Sequence, residues 1–260
     1  MGLKFLIISL AVIVLFYAGL CGGLYLFQRN FLYFPTPEVQ RADAVAVYLE
    51  NDTARIKIWR TGTGNEKAVL YFGGNAEEVS SNIPPFIEHL NGYDIFLMNY
   101  RGFSGSTGAP SETAIYIDAL SLYDLAAREY DDISIIGRSL GSGVATYVAA
   151  NRDIEKLALI TPYDSVENVA QSKFPYVPVS LLLHDKYDSA GRADKIGAEL
   201  LIITAENDRV IPSRFTDALV NQFGDPAPQL QKIPRTHHLT VSSSPVFWKV
   251  LGEFFQSNRP

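Results

Sequence analysis

The sequence predicts an α/β fold, in which a mostly parallel β-sheet carries helices on both faces, preceded by one N-terminal transmembrane helix. Two observations lead to this prediction. From Arg41 onward, short apolar runs alternate with stretches of helical pattern, which is typical of repeated βα units. Before Arg41, an apolar run covers residues 3–27 and is long enough to cross a hydrocarbon core of about 30 Å.

The apolar run at 3–27 is expected to remain attached as a single-pass membrane anchor. The whole anchor segment is expected to comprise residues 1–28. A signal peptide with Lys4 in its n-region is the alternative, but the run is too long and no small-x-small cleavage site closes it. The positive charges of Lys4 and Arg29, on the two sides of the run, nearly balance. The positive-inside rule therefore favours only slightly an extracytoplasmic position for the domain that follows the anchor. The aromatic side chains at 31–34 are expected to form an interfacial belt; a first strand of the soluble domain is the other interpretation, and both can hold at once.

Composition excludes several kinds of partner and site. The net charge is −6 and no basic stripe is present, which argues against nucleic acid as a partner. The only cysteine, Cys21, lies in the apolar run, so no disulfide, thiolate zinc site or cysteine nucleophile is expected. No ligand cluster implies a metal or cofactor. The bilayer is the partner that composition predicts.

Residues 29–260 are expected to form one domain, because no repeat or low-complexity linker divides them. Apolar runs predict strands at 45–49, 55–60, 68–72, 94–99, 133–136, 157–160 and 199–204. Helical patterns cover 77–90, 111–130, 142–151, 212–222 and a final apolar stripe at 246–255. Residues 161–194 are expected to form a small apolar lid; a surface excursion with one helix is the alternative.

The motif Gly-Arg-Ser-Leu-Gly at 137–141 gives the strongest indication of function. It follows the predicted strand at 133–136 and opens a helix rich in small residues, which is the context of a G-x-S-x-G nucleophile elbow. Its glycines let strand and helix approach closely, while a strained turn lifts the serine hydroxyl clear. A glycine-rich helix start with a capping serine is the alternative. The motif predicts the α/β-hydrolase fold, with Ser139 as nucleophile.

A serine nucleophile needs a base to take its proton, and the base needs a carboxylate to orient it. In this fold the order along the chain is Ser, Asp or Glu, His, which excludes His89. His184 lies in an apolar stretch and is interpreted as part of the lid. The neighbours His237 and His238, before the last helix, are therefore the candidate bases.

The orienting acid is expected at a strand end between the nucleophile and the base. Asp208 is preferred, because it lies in the turn beyond the buried strand at 199–204. Asp164, one strand earlier, is the second candidate. An aspartate that only bonds the backbone of its own turn is the structural alternative for Asp208.

Two main-chain amides are expected to stabilise the oxyanion of a tetrahedral intermediate. One is the amide of Leu140, directly after the nucleophile. The other is assigned to Asn75, which follows Gly73 and Gly74 at the end of the strand at 68–72. Asn75 also suits an N-cap of the following helix, and the two roles are compatible.

Several segments give the chain a family resemblance; they read QRNFLYFP, FGGNAEE, NYRGFSGSTGAPSE, GRSLGSG, TPYDSV, DKYDS, ENDRVIP and IPRTHHLT. With them, the chain resembles the membrane-anchored α/β hydrolases related to the fungal bud-emergence protein and the eukaryotic protein-depalmitoylase group. The resemblance implies His238 as base, since the family places an aromatic nine residues after that histidine, where Phe247 stands. Two departures are Gly73, in place of a histidine, and His-His-Leu-Thr at 237–240, in place of Gly-His-Asn-Asp.

The predicted function is that of a serine hydrolase that cleaves an acyl ester or thioester, of a lipid or an acylated protein, through an acyl-enzyme. An anchor and an apolar lid favour substrates that partition into lipid. A serine peptidase would use the same three side chains. A non-catalytic interaction protein that keeps only the fold is the third reading.

Overall fold

The computed structural model describes residues 2–62 and 64–257, and an eight-stranded sheet forms its centre. The strands are β1 (Val45–Asn51), β2 (Ala54–Thr61), β3 (Lys67–Phe72), β4 (Tyr93–Met98), β5 (Asp132–Arg138), β6 (Lys156–Ile160), β7 (Glu199–Ala205) and β8 (Gln229–Ile233). Their order across the sheet is β1-β2-β4-β3-β5-β6-β7-β8. Only β2 runs against both of its neighbours, and β3 to β8 are mutually parallel. The predicted mostly parallel sheet is confirmed.

Eight α-helices connect or flank these strands in the described residues. They are α1 (Gly2–Leu32), α2 (Ile83–His89), α3 (Glu112–Ala126), α4 (Leu140–Ala149), α5 (Val166–Lys173), α6 (Val179–Leu182), α7 (Ser213–Val220) and α8 (Pro245–Gln256). Short 3-10 turns lie at Val79–Asn82, Ala190–Lys195 and Val241–Ser243.

The sheet is covered on both faces, as expected. Side chains alternate along each strand: in β3, Leu70 and Phe72 point to one core, whereas Val69 and Tyr71 point to the other. The first core is closed by α3, α4 and α7, and the second by α2 and α8. Because the parallel strands all end at one edge, the loops after β3, β5, β7 and β8 meet there.

Two elements differ from the sequence expectations. β8 was not expected, because its residues Gln-Leu-Gln-Lys-Ile are almost all exposed on an edge strand and give no apolar run. The aromatic segment at 31–34 forms no strand; α1 continues through Phe31 to Leu32.

By its length and composition, α1 is long and apolar enough to cross a membrane. Residues 1, 63 and 258–260, which the expected division into 1–28 and 29–260 includes, lie outside the described residues. That division stays a prediction.

Candidate active site

Ser139 lies on a sharp turn between β5 and α4. Its φ of 49° is in the left-handed region that side chains rarely adopt. A Cβ on Gly137 would lie 2.5 Å from the Ala145 side chain, and one on Gly141 would overlap the carbonyl group of Phe72. Both motif glycines are therefore required for the close approach of β5, α4 and β3, which is the steric reason given for the elbow.

The structure brings His238 and Asp208 to Ser139. The Nε2 atom of His238 lies 2.8 Å from the Ser139 Oγ, and its Nδ1 lies 2.7 Å from Asp208 Oδ2. The other carboxylate oxygen of Asp208 accepts hydrogen bonds from the amides of Val210 and Ile211. Asp208 thus bonds both the backbone of its own turn and the imidazole of His238, and its role as the orienting acid stays a prediction. With Nδ1–H donating to Asp208, Nε2 is free to accept the serine proton.

The competing candidates lie elsewhere. His237 is exposed, and its Nδ1 lies 3.2 Å from the carbonyl oxygen of Asn207. The carboxylate of Asp164 accepts from the Ser165 amide at 2.7 Å and from the Asn168 side chain at 2.6 Å. His89 stacks on Trp248, behind the sheet. None of these hydrogen bonds and ring contacts involves Ser139 or His238.

His184 lies after α6 and packs edge-on against Tyr25 of α1, with ring centroids 4.6 Å apart. The segment expected to be a lid therefore contacts the N-terminal helix.

The loop that carries one expected oxyanion donor passes close to the nucleophile, and the other expected donor directly follows it. Gly74 is so close that an added Cβ would lie 3.5 Å from the Cβ of Ser139. Among the described residues, the next main-chain amide, that of Asn75, donates to no hydrogen-bond acceptor. Leu140 is the first residue of α4, where amides have no partner within the helix. An oxyanion could be bound between these two amides.

Glu77 organises this loop, a role that the sequence did not reveal. One of its carboxylate oxygens accepts from the Gly74 amide, and the other accepts from Tyr71 and Asn82 at 2.6 Å each. Arg138, directly before the nucleophile, is its ion-pair partner at 3.5 Å. Burial raises the pKa of Tyr71 well above its ordinary value, so its hydroxyl stays protonated and donates. In the sequence, an acidic residue near the start of a helix is typical of ordinary helix capping, so Glu77 did not stand out.

The chain has the α/β-hydrolase fold. Residues 67–178 match the family model for that fold. Among solved structures, the esterase Pf2001 of Pyrococcus furiosus superposes with a TM-score of 0.69 at 18% identity, over 86% of this chain and 98% of its own. The predicted fold is confirmed.

Curated proteins share more sequence identity with the chain than this solved structure does. It is 29% identical to the uncharacterized protein Rv2307c of Mycobacterium tuberculosis, over 83% of this chain and 82% of that one. It is 26% identical to protein bem46 of Schizosaccharomyces pombe, over 73% and 67% of the two chains. It is 28% identical to the lysophosphatidylserine lipase ABHD12 of Rattus norvegicus, over 83% of this chain and 63% of the lipase. The expected relationship to the fungal bud-emergence protein is confirmed, and these relatives support hydrolase activity.

Proposed function

We propose that this protein is a membrane-anchored serine hydrolase that cleaves an acyl ester or thioester through an acyl-enzyme. The observation that carries the proposal is the pair of short contacts that link Ser139 to His238 and His238 to Asp208. Both contacts lie within the distances expected of a nucleophile and its base. Both His238 and Asp208 have side chains that are nearly buried, which keeps the imidazole in one orientation.

The reaction begins when Ser139 Oγ attacks the acyl carbonyl carbon and its proton passes to His238 Nε2. The carbonyl oxygen becomes an oxyanion, bound by the amides of Asn75 and Leu140; losing one such donor typically costs about 3–4 kcal/mol. The tetrahedral intermediate collapses as the proton on Nε2 moves to the leaving alcohol or thiol. In the second half of the reaction, His238 takes a proton from a water molecule, which attacks the carbonyl carbon of the acyl-enzyme. The proton then returns to Ser139 Oγ as the carboxylic acid leaves. Throughout the reaction, the Asp208 carboxylate stays ionised and accepts the hydrogen bond from Nδ1–H of His238.

The acyl class of substrate is supported by two observations. The relative ABHD12 is named as a lysophosphatidylserine lipase. The N-terminal helix of this chain is long and apolar enough to hold the domain at a bilayer. An enzyme placed there meets acyl lipids within the bilayer. The acyl chain then need not pass through water, which would cost about 0.8 kcal/mol for each methylene exposed.

Labelling with a fluorophosphonate probe tests the proposal, together with hydrolysis of p-nitrophenyl acetate by the full-length protein in detergent. We expect Ser139→Ala to abolish labelling and to lower hydrolysis by about 10⁴-fold or more. Ser172→Ala is the matched control, since that serine is exposed on α5 and its hydroxyl donates only to the Val169 carbonyl of the same helix. Undiminished labelling of Ser139→Ala would contradict the proposal. Equal cleavage of p-nitroanilide amides would favour the peptidase.

A further inference from the structure

An apolar cavity of about 240 Å³ lies between the end of α1 and the lid helices. Its wall is almost entirely aliphatic and aromatic, and it is contributed by two distant parts of the chain: Leu24, Gln28, Phe31 and Leu32 from α1, and Val166, Ala170, Phe174, Val177, Val179, Leu182 and Leu183 from the lid segment. We propose that this α1–lid cavity binds the acyl chain of a single-chain lipid ester that enters from the bilayer. The inference rests on the proposed function and adds its substrate class.

No side chain of the cavity wall, as far as the residues are described, is left to bind a polar head group. Gln28 is the only polar residue among the described ones that line it. The side-chain amide of Gln28 donates to the Leu182 carbonyl at 3.0 Å, and its oxygen accepts from the His184 amide at 2.7 Å. Because these contacts satisfy the amide within the protein, the occupant is a hydrocarbon chain. The volume is below the roughly 300–1,000 Å³ of sites for drug-sized ligands, which suits one chain and not two.

The cavity is joined to the candidate oxyanion loop by hydrogen bonds. Leu32, which lines the cavity, accepts a bond at its carbonyl from the Asn75 side chain at 2.6 Å. The oxygen of the same side chain accepts from the Phe34 amide at 3.0 Å. The cavity wall is thus bonded to Asn75, the proposed oxyanion donor. The proposal places the ester of a bound chain beside this loop.

A polar network around the buried Asp185 carboxylate holds the two walls together. Asp185, 5% exposed at its side chain, accepts from Arg29 of α1 at 3.0 Å and from Tyr33 at 3.1 Å. The hydroxyl of Tyr33 also lies 2.9 Å from that of Tyr187. Burial raises the pKa of Tyr33 far above its ordinary value, so it remains a donor. The wall from α1 is therefore part of the folded domain.

The far side of the lid reaches into the depth that α1 would occupy in a bilayer. The Tyr17 hydroxyl donates to the Tyr176 carbonyl at 2.6 Å, about 22 Å along the helix axis before Leu32. Beside this contact, Tyr176 is 88% exposed, Leu181 81% and Phe174 53%. Apolar side chains left so exposed next to a spanning helix are suited to lipid contact. Phe174 also lines the cavity, so the proposal places the cavity entrance on this exposed apolar side.

A cavity-filling variant tests the proposal in full-length protein reconstituted in phosphatidylcholine vesicles. Ala170→Trp would fill the space, whereas Ser172→Trp adds the same side chain on the exposed side of α5. The readout is kcat/KM for p-nitrophenyl dodecanoate divided by that for p-nitrophenyl acetate. We expect Ala170→Trp to lower this ratio by about tenfold or more, because several methylenes lose their burial site. Ser172→Trp should leave it within about twofold. An equal ratio in both variants would overturn the proposal.

A second measurement needs no turnover. Ser139→Ala protein in the same vesicles is irradiated with lysophosphatidylcholine that carries a diazirine at the end of its acyl chain. We expect cross-links on residues 24–32 and 166–183, reduced by Ala170→Trp and unaffected by Ser172→Trp. Cross-links confined to other surfaces would overturn the cavity assignment even if the esterase activity is found. Cross-links in the cavity without any ester hydrolysis would overturn only the catalytic proposal.

Discussion

The carboxylate of Glu77 accepts a hydrogen bond from the main-chain amide of Gly74, three residues earlier. The same carboxylate pairs with Arg138, the residue before the candidate nucleophile. A single side chain therefore sets the position of the loop after β3 relative to the elbow after β5. This arrangement makes Glu77 a positioning residue for the proposed oxyanion donors, without contact to the reacting atoms.

Glu77→Gln should lower kcat for p-nitrophenyl acetate by about 10- to 100-fold, with KM changed little. The amide would replace one acceptor by a donor that faces Gly74 or Tyr71, which moves the loop and weakens a contact made only in the transition state. Glu78→Gln is the matched control, because Glu78 bonds only to Ser80 through its side chain. Steady-state kinetics separate the two constants. A rise in KM alone would mean that Glu77 shapes substrate binding instead.

His238→Ala should lower kcat/KM by about 10⁴-fold, because no other imidazole lies within reach of the Ser139 hydroxyl among the described residues. His237→Ala should change it by less than about twofold, since His237 is exposed and contacts only its own loop and Asn207. The two adjacent substitutions control for each other in the same assay. Greater damage from His237→Ala would shift the base by one residue.

Asp208→Asn should lower kcat by about 10³- to 10⁴-fold, because an amide no longer fixes the tautomer in which Nε2 accepts the serine proton. The fold should persist, since the remaining oxygen can still accept from Val210 and Ile211. Asp164→Asn is the isosteric comparison. We expect it to lower the melting temperature with little change in kcat, because Asp164 bonds Ser165 and Asn168 but not the imidazole. The opposite ranking would assign the acid to Asp164.

Gly141→Ala should destabilise the folded protein by about 1–3 kcal/mol, because the added methyl would overlap the Phe72 carbonyl at the crossing of α4 and β3. Thermal unfolding in detergent should then begin several degrees lower. Gly197→Ala provides the control, since no atom lies within 4 Å of the Cβ it would add. An unchanged melting temperature for Gly141→Ala would show that this crossing has room to relax.

The parts of the fold that were predicted from sequence are those with a strong local pattern. β5, the elbow and α4 are contiguous, and their glycines have one steric explanation, so they could be placed in advance. β8 lacks the apolar run that a buried strand requires, because it pairs on one edge only and most of it is exposed.

The contacts between α1 and the lid could not be predicted for a different reason. Arg29 and Asp185 are far apart in sequence, and each alone suits an exposed surface charge. Only the folded chain brings them together with Tyr33 and encloses the α1–lid cavity. Sequence patterns report local periodicity and motifs, whereas such pairings depend on how distant elements pack.

The membrane orientation can be tested through the single cysteine of the chain. Cys21 lies within α1, so it should be shielded by lipid, and the full-length protein should stay in the membrane pellet after alkaline carbonate washing. In a Cys21→Ala background, Gln222→Cys places one thiol on an exposed position after α7. We expect a membrane-impermeant maleimide to label that thiol in intact cells, because the flanking charges lean towards a cytoplasmic amino terminus. Cys21→Ala alone is the unlabelled control. Labelling only after the cells are opened would place the catalytic domain in the cytoplasm, and release by carbonate would remove the anchor itself.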